Sequence, residues 1–133
     1  SVIKSVEMLK EMNGEVWFKV DAATEESIKT INQVNMKPYQ ILERLRNSIN
    51  VCPTFIQTCI FTIDGKGPSE KDIDAYIQLV SEVKSNIQGV HLYGLARPSL
   101  QPQAKNLGRI AEEALEGIAT KLRSLNIATT VSY

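Results

Sequence analysis

The chain has 133 residues, enough for one domain with a real core, and its apolar content of 43% and charged content of 23% are those of a globular protein. Fifteen basic side chains balance fifteen acidic ones, so no global field points toward nucleic acid or an anionic membrane. No apolar run approaches the roughly 18 residues a spanning helix needs, and two cysteines are too few for a disulfide framework. A cytoplasmic protein with two reduced thiols and no membrane partner is therefore expected.

"SVIKSVEMLKEMNG" begins directly in helical periodicity at Ser1, with Val2, Val6, Leu9 and Met12 in register, so a helix over residues 1–13 is expected. A start inside a helix, at Ser rather than Met, reads as a piece of something longer. "EVWFKVDA" (15–22) reads as the first strand. Thr24 is placed to cap a helix whose first turn carries Glu25 and Glu26, where the helix dipole favours carboxylates. Pro38 opens the next helix, with Ile41, Leu42, Leu45 and Ile49 on one face. "PTFIQTCIFTI" (53–63) is the second strand, and "DGKGP" leads to a helix from Ser69 with Ile73, Tyr76, Ile77, Val80, Val83 and Ile87 on one face. "GVHLYGL" (89–95) is the third strand. A long helix is expected from about Pro102 to Leu125, its buried stripe being Leu107, Ile110, Ala111, Ala114, Leu115, Ile118 and Leu122. "IATTVSY" closes as a fourth strand.

Strand and helix alternate, with connections too long for hairpins, so the class is α/β with parallel strands joined by crossovers in a single domain. Alternation along a strand then assigns faces. Val16, Phe18 and Val20 share one face of the first strand; Trp17, Lys19 and Asp21 share the other. In the third, Val90, Leu92 and Gly94 lie opposite His91, Tyr93 and Leu95. A sheet covered by helices on both sides would be continuously apolar. One apolar face and one that turns polar toward its C-terminal end fit a partial (β/α) barrel of about four parallel strands with helices outside. Ligands of such sheets bind at the strands' C-terminal ends, where Lys19, Asp21, Gln57, His91, Tyr93 and Arg97 would gather. Two points stay open: His91 is either a lumen residue or a core histidine bonded to a carbonyl, and either Gln57 or Thr58 faces inward. Lys19 and Asp21 also read as a rim ion pair, and Arg97 as a substrate contact or a rim ion pair.

Other chemistries find little support. "DGKGPSEKD" has a G-x-G but lacks the third glycine and the later acidic residue of a dinucleotide site, which leaves a turn with a helix cap at Ser69. A single histidine and no nucleophile elbow argue against triad hydrolysis. Cys52 and Cys59 match no zinc or iron–sulfur spacing, so no metal site is expected in this chain. Lys19 near a strand end could form an imine, but Asp21 beside it favours the charged amine, a poor nucleophile.

"VWFKVDAATEESIKTIN", "TFIQTCIF" with "GPSEKDIDAYIQLV", and "GVHLYGLARPSLQPQA" together resemble the second half of the radical S-adenosylmethionine (SAM) core domain. The similarity runs from about Gly14 to the end and is nearest to iron–sulfur oxidoreductase-like members with K-[VL]-D-A on the fourth strand and R-P after the sixth. The resemblance implies half of a TIM-like barrel, as the C-terminal fragment of a radical SAM core domain. The full-length form would hold a [4Fe–4S] cluster on a CxxxCxxC loop and cleave SAM reductively to a 5′-deoxyadenosyl radical. This chain has no CxxxCxxC segment, so the fragment is expected to be inactive, with neither SAM nor cluster bound. The resemblance implies that Lys19, Asp21, Gln57, Tyr93 and Gly94 contact SAM and that His91 and Arg97 are substrate or lumen residues. Its expected partner is the missing N-terminal half of the barrel. Without it, the exposed sheet edges should favour self-association. The competing expectation is a complete small α/β ligand-binding or interaction module without catalysis; the substrate is not legible.

Overall fold

The computed structural model describes residues 15–24, 26, 28, 37–94 and 107–133. Its elements run β1 (Val16–Lys19), α1 (Pro38–Val51), β2 (Thr54–Ile63), α2 (Glu70–Ser81), β3 (Gly89–Gly94), β4 (Leu107–Arg109), α3 (Glu112–Ser124) and β5 (Thr129–Ser132). The strands β1, β2, β3 and β5 form one parallel sheet in that order. This is the expected α/β partial barrel with four parallel strands. The expected helix over 1–13 and Arg97 lie outside the described residues.

Each helix starts for a local reason. Lys37 N–H donates to Gln40 Oε1 at 2.8 Å ahead of Pro38, which has no N–H to leave orphaned. Ser69 caps α2: its Oγ accepts from Asp72 N–H at 3.1 Å, while Asp72 Oδ2 accepts from Ser69 N–H at 3.3 Å. Glu112 and Glu113 occupy the first turn of α3, where the dipole favours them. At its other end Asn126 adopts a left-handed φ of 64°, so Ile127 N–H reaches back to Leu122 O and Asn126 N–H to Arg123 O. Farther up the chain, Thr24 O accepts from Ile28 N–H at 2.8 Å, the first helical bond of the turn the sequence assigns to it.

One face of the sheet carries the core. Ile56, Ile60, Val90 and Leu92 pack with Ile41 and Leu45 of α1, Tyr76, Leu79 and Val80 of α2, and Leu115, Ile118 and Leu122 of α3. Polar groups on this side are partnered: Ser48 Oγ and Thr54 Oγ1 lie 3.1 Å apart, and Thr58 Oγ1 and Tyr76 Oη lie 2.8 Å apart.

The expected long helix from Pro102 is wrong in its first part. Residues 107–109 form β4, antiparallel to the outer end of β2 with Phe61 opposite Arg109 and Ile63 opposite Leu107. The parallel pairing of β2 stops at Gln57 on one side and Ile60 on the other, which leaves hydrogen-bonding groups at 61–63 for another strand to take. Gly108 permits the approach, since a Cβ there would come within 2.6 Å of Thr62 Oγ1. Long-range pairing therefore overrides the helical spacing of Leu107 and Ile110. Ala111 is the cap of α3 rather than part of its stripe, and Ala111 and Ala114 are exposed. The buried stripe is Leu115, Ile118, Ala119 and Leu122. The "DGKGP" loop begins with a two-residue reversal: Asp64 and Gly65 have φ of 51° and 81°, and Ile63 and Lys66 exchange backbone hydrogen bonds across it.

Candidate functional site

Register decides which side chains meet. Lys19 pairs with Gln57, Gln57 with His91 and His91 with Thr130, so these four form one transverse row. The adjacent row toward the strands' C-terminal ends holds Cys59, Tyr93 and Ser132. Both rows lie on the face that contributes nothing to the helix-covered core. Gln57 is thereby the inward residue of β2, and Thr58 faces the helices, fully buried against Tyr76.

Asp21 joins the second row from the end of β1. Its Oδ1 accepts the Cys59 N–H at 2.9 Å, so a carboxylate takes the place that a backbone carbonyl holds earlier in the ladder. Its Oδ2 lies 3.4 Å from Lys19 Nζ. The pair is asymmetric: the Asp21 side chain is 14% exposed and that of Lys19 58%. Asp21 is thus fixed by the fold, while the ammonium is free to reach outward. Burial pulls the Lys19 value down, but Asp21 and the Tyr93 hydroxyl outweigh it and hold the ammonium above its ordinary range. Lys19 is charged at neutral pH, which disfavours the imine chemistry considered above.

His91 lies on the face of the sheet opposite the helix-covered core. Its Nε2 lies 2.9 Å from Ser132 Oγ on the neighbouring strand, and its ring meets Trp17 edge-on at 6.2 Å and Tyr93 at 5.8 Å. Below it, toward the strands' N-terminal ends, Trp17 and Phe55 stack at 4.6 Å and 11°. The face therefore has an aromatic base and a charged, hydroxyl-bearing top. Gly94 ends β3 in register with Ile60, on the helix side of the strand, so it can offer only backbone to this face.

Sequence reasoning passed over three contributors. Nothing in the sequence marks Cys59 as more than a reduced thiol, yet it lies on the helix-free face beside Asp21 and Tyr93. Ser132 and the Trp17–Phe55 stack also belong to this face. Alternation alone placed Trp17 there, but the pairing register was needed to bring Phe55 and Ser132 to it.

Burial first, and then the Asp21 carboxylate, push the Cys59 thiol up from 9.0 to about 11. Because the folded value is the higher one, the stability contributed by the neutral thiol is complete below about pH 9 and is lost as pH rises toward 11. Burial raises the Tyr76 phenol in the same direction. The urea midpoint of the chain is therefore expected to fall between pH 9 and 11, and to fall less in Cys59→Ala. An equal drop in both proteins would remove Cys59 as a cause.

Among the described residues, no group of three or more His, Cys, Asp or Glu side chains could hold a metal ion. No described helix is long and apolar enough to cross a membrane.

No protein-family model matches the chain, and no curated protein matches it either. Solved structures do. A domain of pyruvate-formate lyase-activating enzyme from Bacteroides vulgatus superposes with a TM-score of 0.66 at 13% identity, over 96% of this chain and 73% of that one. A radical SAM methyltransferase from Sphaerobacter thermophilus superposes with a TM-score of 0.66 at 14% identity, over 98% of this chain and 37% of that one. The chain thus has the fold of part of these enzymes and spans little more than a third of the methyltransferase.

Proposed function

We propose that this chain is the C-terminal part of a radical SAM core domain and that its helix-free face binds SAM. The observation that carries the reading is the Lys19–Asp21 pair at the C-terminal end of β1, its Asp21 tied to Cys59 of the adjacent parallel strand, on a fold shared with a radical SAM methyltransferase. An ammonium beside a carboxylate is the complement of an α-amino acid: Lys19 faces the carboxylate of the methionyl end and Asp21 its ammonium. Gln57 and Tyr93 supply an amide and a hydroxyl for the ribose, and the backbone at Gly94 lies against the adenine. His91 is left for the substrate, as is Arg97 beyond the described residues. The donor set fits SAM.

The iron–sulfur cluster is different. The described residues offer it no ligand set, so we place its three cysteines on a CxxxCxxC loop in the half of the barrel that precedes this chain. When bound, SAM supplies the family's reductive-cleavage chemistry; the residues here hold and orient it and keep water from the face. The outer edges of β1 and β5, the terminal strands of the sheet, are where the remaining strands would pair. Alone, the chain is inactive and self-associates through those edges. Cys52 and Cys59 are both free thiols, which supports a reducing, cytoplasmic setting.

The test is equilibrium dialysis of labelled SAM against the full-length protein reconstituted with iron and sulfide. Lys19→Ala removes one charge-assisted contact of about 1.5–3 kcal/mol, so binding should weaken roughly tenfold or more. Unchanged affinity in Lys19→Ala would withdraw Lys19 from the site.

A further inference from the structure

The two outer edges of the sheet are not equivalent. Along a parallel strand, alternate residues turn their N–H and C=O toward one neighbour and then toward the other. In β1, Val16 N–H donates to Pro53 O, and just beyond the strand Val20 N–H donates to Gln57 O. Trp17 and Lys19, between them, therefore turn their backbone groups outward. Among the described residues, no side chain bonds to those outward groups.

At β5 the same alternation applies. Val90 N–H donates to Ala128 O at 2.8 Å, in a register that sets Val90 opposite Thr129. Thr129 and Val131 therefore point their backbone groups away from β3, and they supply the two outward carbonyls of this four-residue strand. One of the two is already taken. Arg123, in the last turn of α3, donates from both Nε and Nη2 to Thr129 O, at 3.3 and 3.0 Å.

The guanidinium has a second anchor on its own helix. Its Nη1 lies 3.7 Å from Glu116 Oε2, and Tyr133 Oη donates to Glu116 Oε1 at 2.6 Å. Arg123, Glu116 and Tyr133 thus tie α3 to the outer side of β5. The strand itself carries none of the usual protection. It reads Thr-Thr-Val-Ser, without charge or proline, and its β-branched residues suit strand addition. Such an edge is a template for another chain unless something covers it.

We propose that Arg123 gates the outer edge of β5, opposing its antiparallel pairing with β5 of a second copy of this chain. Pairing about a two-fold axis sets the same edge of each copy against the other, so one arginine per chain obstructs both sides of the contact. The closure is reversible. The Arg123 and Glu116 side chains are 47% and 44% exposed, and contacts between exposed charges are weak. Glu116 also gives the guanidinium a place to go when Thr129 O is released. With the gate closed, the chain associates chiefly through β1. The gate goes beyond the SAM reading and stands without it, since Arg123, Glu116 and Tyr133 are none of the residues proposed to hold SAM.

The test is sedimentation equilibrium of the chain and its variants, with amide hydrogen exchange read residue by residue. Arg123→Ala should tighten self-association roughly tenfold and slow exchange at the Thr129 and Val131 N–H groups in a concentration-dependent way. Arg123→Gln, which keeps the apolar stem of the side chain, should act in the same direction. Adding Val131→Pro removes an outward N–H from the edge and should cancel both effects, because the inward bonds belong to Thr130 and Ser132. Slow exchange at Leu92 in every variant checks that the core is retained. If Arg123 merely staples α3 to β5, its replacement lowers the urea midpoint and leaves association unchanged, and that result overturns the gate. Tighter association with new protection only at Trp17 and Lys19 would overturn it as well, by placing the contact at β1.

Discussion

Replacing Asp21 with Asn should weaken SAM binding by the full-length protein roughly 30- to 150-fold, for a loss of about 2–3 kcal/mol, while leaving the chain nearly as stable as before. The two outcomes separate because the two carboxylate oxygens have different jobs. Oδ1 accepts the Cys59 N–H at 2.9 Å, and an amide oxygen can do the same. Oδ2 faces Lys19 at 3.4 Å, and only a charged oxygen can hold that ammonium and pair with the ammonium of a ligand. Asp21→Ala should lose both functions. Cys59 is buried, so its N–H would be stranded, at a cost of about 1–3 kcal/mol in urea unfolding. The lost Lys19 contact adds little to that stability, because Lys19 is more than half exposed. If Asn and Ala bind SAM equally poorly and destabilise equally, Asp21 is only a structural cap. If Asn binds as well as the unmodified protein, the charge has no role.

Leu92→Ala should be among the most damaging single changes at the described residues. Leu92 is fully buried on β3, the strand between β2 and β5, and faces the helices. Removing its isobutyl group should cost about 2–5 kcal/mol, a large fraction of the roughly 5–15 kcal/mol that holds a typical domain together. Its neighbour in sequence on the other face, His91, contributes to a partly exposed surface outside the core. His91→Ala should therefore change the urea midpoint far less. Comparable losses from the two substitutions would mean that the lumen face is a second core rather than a binding surface.

Much of this was legible because parallel strands carry their faces in their alternation. Lys19 and Asp21 opposite Val16 and Val20, and His91 and Tyr93 opposite Val90 and Leu92, were enough to separate the polar wall from the packed one. Where alternation failed, so did the reading. "TFIQTCIF" is apolar on both sides, and only its register with Lys19 and His91 settles that Gln57 faces inward. β4 was hidden for a different reason: Leu107 and Ile110 fit a helical stripe, and nothing local records that the outer end of β2 needs a partner. A cavity of about 430 Å³ beside the C-terminal half of β2 was also illegible, since the lysines and isoleucines that line it come from a hairpin turn, one strand and two helices that meet only in three dimensions.

The most direct measurement is of 5′-deoxyadenosine. The reading frame containing this chain and the residues before it would be expressed, reconstituted anaerobically with iron and sulfide, reduced with dithionite and supplied with SAM. The expected result is 5′-deoxyadenosine formation that needs the upstream CxxxCxxC cysteines and falls sharply in Asp21→Asn. A frame with no such cysteines, or a reconstituted protein that leaves SAM intact, would contradict the assignment and leave a small α/β binding module in its place.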